Sequence, residues 1–403
     1  MTAAAPAKSA PRGPVLKRAR DYLDRHRSLS IILGMAVVTA ILPFIVTLPP
    51  FNGFNAQRVW IDSFATAGIF VLLAIGLNVV VGLSGLLDLG YAAFYAIGAY
   101  TYAFAASAFT GLHTSFWLML LVGAVIAAIF GILLGAPTLR LRGDYLAIVT
   151  LGFGEIVPIL FRNADARNIG VNLTNGTNGI GGIDRPTLPV IQIGDFKILD
   201  VVFNAANPLS YYITMAIIIT LVLILVYRLQ DSRLGRAWQA IREDELAAAS
   251  NGVNTVTTKL LAFALGATTS GFAGVFSASK LVFVSPDQFG FTVSFTILAM
   301  VVLGGMGNSI GVALGAFVIY IIQSVFLKQL TEFFNDFQVP VLSDINFIEY
   351  QFLLYGIALV AMMLLRPEGL FPSRQRAREL HTEEGVDPME GSPSGSDAEG
   401  SLA

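Results

Sequence analysis

The sequence predicts an all-α integral membrane protein with about ten membrane-spanning helices and both termini in the cytoplasm. Three observations carry that reading. Charged residues make up 13% of the 403 positions, about half the share of a typical soluble domain, which is roughly 25%. Hydrophobic residues make up 55% and the mean hydropathy is +0.70. So little polar surface cannot coat a water-soluble particle, and the excess apolar surface must face lipid. The basic residues, finally, gather in the segments that this layout places inside.

Crossing the hydrocarbon core takes about 20 apolar residues. Such runs lie at 30–48, 61–81, 86–109, 115–136, 144–161, 211–229, 259–283, 291–306, 309–327 and 349–366. The run 291–306 is short and a Gly-rich joint follows it. A broken or re-entrant element there would leave eight or nine full spans. With the N-terminus inside, the internal segments 1–29, 137–143 and 228–259, with the residues after 365, hold 18 of the 25 Lys and Arg residues, as the positive-inside rule requires.

The segments then divide as follows. Residues 1–29 are basic and polar, too long for the leading region of a signal peptide, so the first apolar run reads as a retained helix. Residues 30–372 form the transmembrane domain. They include an external loop at 162–210, rich in Asn and Gly, and an internal loop at 230–258. Residues 373–403 are acidic, with Gly and Ser and few apolar groups, which predicts disorder. Cys is absent, so neither disulfides nor thiolate metal sites arise.

Enzymatic chemistry finds no support. The three His residues are His26, His113 and His381, two in the polar termini and one at a turn. HExxH, GxSxG and GxxxxGK[ST] patterns are missing. If nucleotide energy is used, another chain must supply it. What remains is the handling of something that crosses the membrane.

Two acids lie in apolar runs, Asp88 in GLLDLGYAAF and Glu155 in LGFGEIVPIL. A carboxylate in lipid is costly, so it faces a cavity or a partner. A substrate-path contact and a structural cap are both open readings, with Asp88 nearer a helix end. Glu155 precedes Pro158, which can break the helix and free backbone groups for a polar solute. Most glycines read as close helix packing. Gly304, Gly305 and Gly307, with Asn308, instead break a helix near the internal surface. The external loop carries two Asn-x-Thr sequons at Asn172 and Asn175, a pattern that Asn-rich loops produce by chance. In the internal loop, residues 236–252 predict a short amphipathic helix. Ala237, Ile241, Ala248 and Gly252 bring small or apolar groups near one face, and Arg242, Glu243, Asp244 and Glu245 form a polar cluster. It reads equally as a surface-lying connector or as a helix that docks into a groove on a soluble partner.

Several long motifs in order resemble one family. They are GLNVVVGLSGLLDLGYAAFYAIGAYTYA (76–103), LRGDYLAIVTLGFGEIVPIL (141–160), TNGTNGIGGI (174–183), SPDQFGFTVSFTILAMVVLGGMGNSIGVALGAF (285–317) and RPEGLF (366–371). Together they are similar to the permease subunits of bacterial branched-chain amino-acid ABC transporters, over about residues 60–372. The resemblance makes 230–258 the loop that couples a permease to its ATPase, with Arg242, Glu243, Glu245, Leu246, Ala247, Ala248 and Gly252 at the contact. The broader ABC importer pattern there is Glu-Ala-Ala-x-x-x-Gly. Here Leu246 holds the first position, Glu245 precedes it, and the downstream Ile-x-Leu-Pro is missing.

The resemblance further implies a bacterial inner-membrane importer. Its partners would be a second homologous permease, two ATPase subunits that hold ATP and Mg, and an extracytoplasmic binding protein. This chain would bind no cofactor and no nucleic acid, with the lipid bilayer as its surroundings. The cargo implied is leucine, isoleucine or valine, moved by alternating access. Related permeases carry urea or short-chain amides, and an ion-coupled secondary transporter or a non-transporting scaffold are the rivals from other classes. Tyr91, Tyr95, Glu155, Asn178 and Asn308 are the candidates for polar contacts along the substrate path.

Overall fold

The computed structural model describes residues 27–45, 57–138, 144–165, 172–187, 191–193, 196–198, 203–204, 207–336, 347–366 and 369–371. The expected acidic tail 373–403, and most of the basic segment 1–29, lie outside the described residues.

Helix α1 (Arg27–Ile45) precedes α2 (Gln57–Leu77), whose end widens into a π-helical turn, Asn78–Leu83. Then come α3 (Ala92–Ala105), α4 (Phe116–Thr138), α5 (Asp144–Asn163) and α6 (Pro208–Gln230). Two short helices follow, α7 (Arg233–Glu243) and α8 (Glu245–Ser250). Helix α9 (Thr255–Leu281) leads to α10 (Phe291–Gly304), which a 3₁₀ turn, Pro286–Phe289, precedes. Helix α11 (Ser309–Ile321) runs through a second π-turn, Ile322–Phe326, into α12 (Leu327–Asp336). Helix α13 (Gln351–Leu365) closes the bundle. Among the described residues, seven stretches are long and apolar enough to cross a membrane. The chain is an all-α integral membrane protein.

Each predicted run contains a helix, but the discontinuity sits elsewhere than the short run 291–306. That run is helical to Gly304 and is extended backwards by the 3₁₀ turn, so Pro286–Gly304 reaches spanning length. The run 86–109 is helical only over Ala92–Ala105, and residues 84–91 are not helical. Hydropathy cannot distinguish the two cases, because LLDLGYAAF is apolar whether helical or extended. Protein covers this non-helical stretch, since Ser84, Leu86, Asp88, Gly90 and Tyr91 are buried.

Helix α9 is the centre of the packing, in contact with α4, α3 and α2, while α2 also packs on α6 and α11. Small residues permit this closeness. A Cβ added at Gly98 of α3 would lie 2.6 Å from the Gly271 carbonyl oxygen of α9, and one at Gly274 would lie 2.6 Å from the Ala99 nitrogen. Helix α3 is buried along nearly its whole length. By contrast α4 exposes Leu118, Leu121, Val125, Ile129 and Leu133 at helical spacing, the stripe expected of a lipid-facing helix. At the end where α3 and α9 finish, short antiparallel pairs β1 (Ala106–Ser107) with β2 (Leu112–His113), and β3 (Ile180–Gly181) with β6 (Phe283–Val284), tie loops together. A further hairpin pairs β4 (Ile191–Ile193) with β5 (Phe196–Ile198).

Candidate functional site

At the opposite end, where α9 begins, α7 and α8 form a sharp helical corner. Capping explains its shape. Ser232 Oγ accepts from the Leu234 and Gly235 amides to start α7. Asp244 is extended, and its Oδ1 accepts from Leu246 N at 2.8 Å and Ala247 N at 3.0 Å, starting α8. The single helix expected over 236–252 is therefore split at Asp244, because an Asp side chain competes for helical amides and favours a new N-cap. Gly252, at φ +84°, ends α8 in a conformation that a side chain would strain. Asn254 Oδ1 then caps α9 through Thr257 N at 3.1 Å.

The corner buries one face and presents the other. Trp238, Ile241 and Ala248 are buried, while Leu246 is 66% exposed and Glu243, Ala247 and Gly252 are exposed with it. Its ties to the bundle include three side-chain contacts. Trp238 Nε1 donates to the Thr258 carbonyl at 2.8 Å. Glu245 pairs with Lys259 Nζ at 2.6 Å, where the Lys259 side chain is only 6% exposed. Arg242 Nη1 donates to the Gly82 carbonyl at 2.6 Å.

That last tie reaches the helix break. Ser84 Oγ and Leu86 N both bond to the Val80 carbonyl, closing the π-turn, and Gly85 turns left-handed at φ +72°. Asp88 Oδ1 accepts from Gly90 N at 2.9 Å, so Asp88 caps the chain just before α3. Leu89 N donates to Thr150 Oγ1 of α5 at 3.1 Å, and Ala92 N to Ser294 Oγ of α10 at 3.0 Å. The break is thus stitched to two neighbouring helices.

The path candidates fall in different places. Tyr91 is fully buried, its hydroxyl on the Gly266 carbonyl at 2.8 Å and Thr269 Oγ1 at 3.1 Å. Tyr95, one turn on, bonds Ser277 Oγ at 2.7 Å and meets Phe289 edge-on. Both face α9. Glu155 is exposed on α5, and its Oε1 accepts from Phe291 N at 3.1 Å, capping α10. Asn178 is exposed in the 3₁₀ turn Gly176–Asn178, where Asn175, at φ +59°, donates from Nδ2 to Gly179 O at 2.9 Å. Asn308 caps α11 through Gly311 N and donates to the Phe371 carbonyl at 3.0 Å.

Gly304, Gly305 and Gly307 form the joint between α10 and α11, with Gly305 at φ +108° and Gly307 at φ +86°. Residues 369–371 fold back on it. Leu370 N and Phe371 N bond the Leu303 and Gly304 carbonyls, satisfying the orphan end of α10. Sequence reading missed the residue that joins this turn to α2. Asn78 is fully buried. Its Oδ1 accepts from Gly307 N at 2.8 Å, and its Nδ2 donates to Ser309 Oγ at 3.3 Å. Gln230 Nε2, at the end of α6, donates to the same hydroxyl at 2.9 Å. A lone Asn within an apolar run was the available signal, since such a group needs a partner.

A helical bundle with a buried, non-helical stitch and a capped helical corner tied to one end defines a multi-spanning membrane protein. The chain belongs to the family described as branched-chain amino acid transport system / permease component, whose pattern matches residues 59–363. It is 42% identical over 330 residues to the high-affinity branched-chain amino acid transport system permease protein LivM of Escherichia coli (strain K12), covering 79% of this chain and 71% of that one. The protein of the same description from Salmonella typhimurium is 40% identical over 352 residues, covering 85% and 74%. The autoinducer 2 import system permease protein LsrC of Yersinia pseudotuberculosis is 28% identical over 324 residues, covering 78% and 82%. No solved structure matches the chain.

Proposed function

We propose that this chain is the permease subunit of an ATP-driven importer in a bacterial plasma membrane, and that it carries leucine, isoleucine or valine inward by alternating access. The working assembly pairs it with a second permease, two ATPase subunits that hold ATP and Mg, and an extracytoplasmic binding protein. The α7–α8 corner lies in the cytoplasm together with both termini. Branched-chain cargo is supported by the 42% and 40% identities to the two LivM proteins.

The observation that carries the coupling role is the corner itself. Its outward face offers Leu246, Ala247 and Gly252, an apolar and small surface suited to a groove. Its inward face is pinned by Trp238, Glu245 and Arg242. A connector helix lying on lipid needs no such pins. On the path side, Tyr91, Tyr95, Glu155, Asn178 and Asn308 remain the polar candidates. Glu155 has the firmest support, being exposed on a span where lipid contact would be costly. It therefore faces water or the second permease.

The test is uptake of labelled leucine and labelled urea by cells deleted for this gene. They are complemented with wild type or with residues 242–252 replaced by a Gly/Ser linker. Wild type restores leucine uptake, and the linker variant reaches the membrane without restoring it. Restoration of urea uptake alone would reassign the cargo. A linker variant that transports normally, or uptake that survives ATP depletion but not an uncoupler, would overturn the reading. The similarity to LsrC favours a second cargo arm, labelled autoinducer 2.

A further inference from the structure

We propose that Arg242 is a positioning residue that passes displacement of the α7–α8 corner to the helix break at 82–90, and thence to the spans around it. The inference rests on the reading that the corner docks an ATPase subunit.

The geometry separates Arg242 from the other two ties. Trp238 and Glu245 both attach to the start of α9, at Thr258 and Lys259, so they hold the corner to the helix that directly follows it. Arg242 alone of these three reaches across to α2. Its target is available for a physical reason. In a regular α-helix the Gly82 carbonyl would accept from residue 86. Here the helix ends at Leu83, Gly85 turns left-handed and Leu86 N closes back on Val80 O at 3.1 Å, so the Gly82 carbonyl is left among the orphan acceptors of the helix end. The guanidinium takes the released carbonyl, at the C-terminal end of α2, where a cation is favoured. The stem of Arg242 rests on Gly85, where an added Cβ would lie 3.0 Å from Arg242 Cγ.

Gly82 is also the point where the connection divides. A Cβ added there would lie 2.6 Å from Gly307 N, so the α10–α11 joint lies directly against it. Asn78 spans the same gap with one hydrogen bond to Gly307 and another to Ser309, and Ser309 is held in turn by Gln230 of α6. On the other side of the break, Leu89 is bonded to Thr150 of α5, the helix that exposes Glu155. Directional bonds to buried groups cannot stretch far before they fail. A shift of Arg242 must therefore move α2, the α10–α11 joint and α5 together or break a bond. π-Helical turns recur at functional sites, and this one lies where the tie from the corner meets the ties to the other spans.

The test uses the complete transporter, purified through a tag on this chain and reconstituted in proteoliposomes with its binding protein. Leucine uptake and ATP hydrolysis are measured on the same preparation. Arg242→Ala is read by the ratio of leucine moved to ATP hydrolysed in the complex it forms. It should lose at least tenfold in leucine moved per ATP. Arg242→Lys, which keeps the charge without the planar fork, should recover part of that ratio. Arg236→Ala, an exposed cation on the same helix, should match wild type. Should Arg242→Ala fail to assemble, the ratio in Arg242→Lys decides, and an unchanged ratio overturns the proposal. It is equally overturned if that ratio in Arg242→Ala stays within twofold of wild type. A wild-type complex that moves no leucine on ATP would instead refute the proposed function.

Discussion

Two residues show how differently one polar group behaves inside this bundle. Asn78 is fully buried and uses both ends of its amide, so Asn78→Ala strands the Gly307 amide as well as removing a donor to Ser309. Leaving a buried partner unsatisfied costs about 1–3 kcal/mol, and the thermal midpoint of the purified protein in detergent should fall accordingly. Asn78→Asp keeps the acceptor for Gly307 but buries a carboxylate, and should not recover the loss. Glu155 makes the opposite case. Glu155→Gln preserves an oxygen for the Phe291 amide, so the cap on α10 and the thermal midpoint should hold. If its charge meets the cargo, leucine uptake should drop by tenfold or more; uptake equal to wild type would remove Glu155 from the path.

Among the elements, the crossing of α3 and α9 is set by glycine. Gly98→Ala places a methyl against backbone that cannot retreat, and overpacking of this kind costs roughly 1–3 kcal/mol. Gly152, on the outer side of α5, has no atom within 4 Å of an added Cβ. Gly152→Ala should be neutral or stabilising by about 0.5–1 kcal/mol, and paired melting curves would separate the two. At the corner, Glu245→Ala leaves Lys259 buried without this partner. One-sided loss of a buried pair costs on the order of 3 kcal/mol, and removing both charges with Glu245→Gln and Lys259→Met should restore much of it. The elements were legible to the extent that hydropathy defines them. All ten runs contain helices, and the short helix of the internal loop was visible from its small and apolar stripe. The break at 84–91 was hidden because its residues are as apolar as the helices on either side. What makes it a break is partners distant in sequence, Thr150 and Ser294, and no local pattern announces those. The kink at Asp244 was in principle readable, since Asp followed by Glu and an Ala run is an N-cap signal, but amphipathic spacing across 236–252 masked it.

For the molecule as a whole, orientation is the property most open to direct measurement. The native sequence has no Cys, so single substitutions report without interference. In intact cells an impermeant thiol reagent should label Asn178→Cys and spare Glu243→Cys, and inverted vesicles should reverse the pattern. The same labelling on both sides from one orientation of vesicle would break the topology proposed here. The burial of α3 carries a further consequence, for the order of events during synthesis. At 14 residues it is shorter than the bilayer is thick, and the hydroxyls of Tyr91 and Tyr95 find their partners on α9, which is complete only at Leu281. At roughly 5–20 residues per second, the ribosome leaves α3 and the stitch before it waiting on the order of ten seconds or more. During that interval the hydroxyls of Tyr91 and Tyr95 are without the α9 partners they hold in the folded chain. Chains that stall before α9 emerges should accordingly be the ones that cellular proteases clear first, whereas stalling after residue 281 should yield far longer-lived fragments.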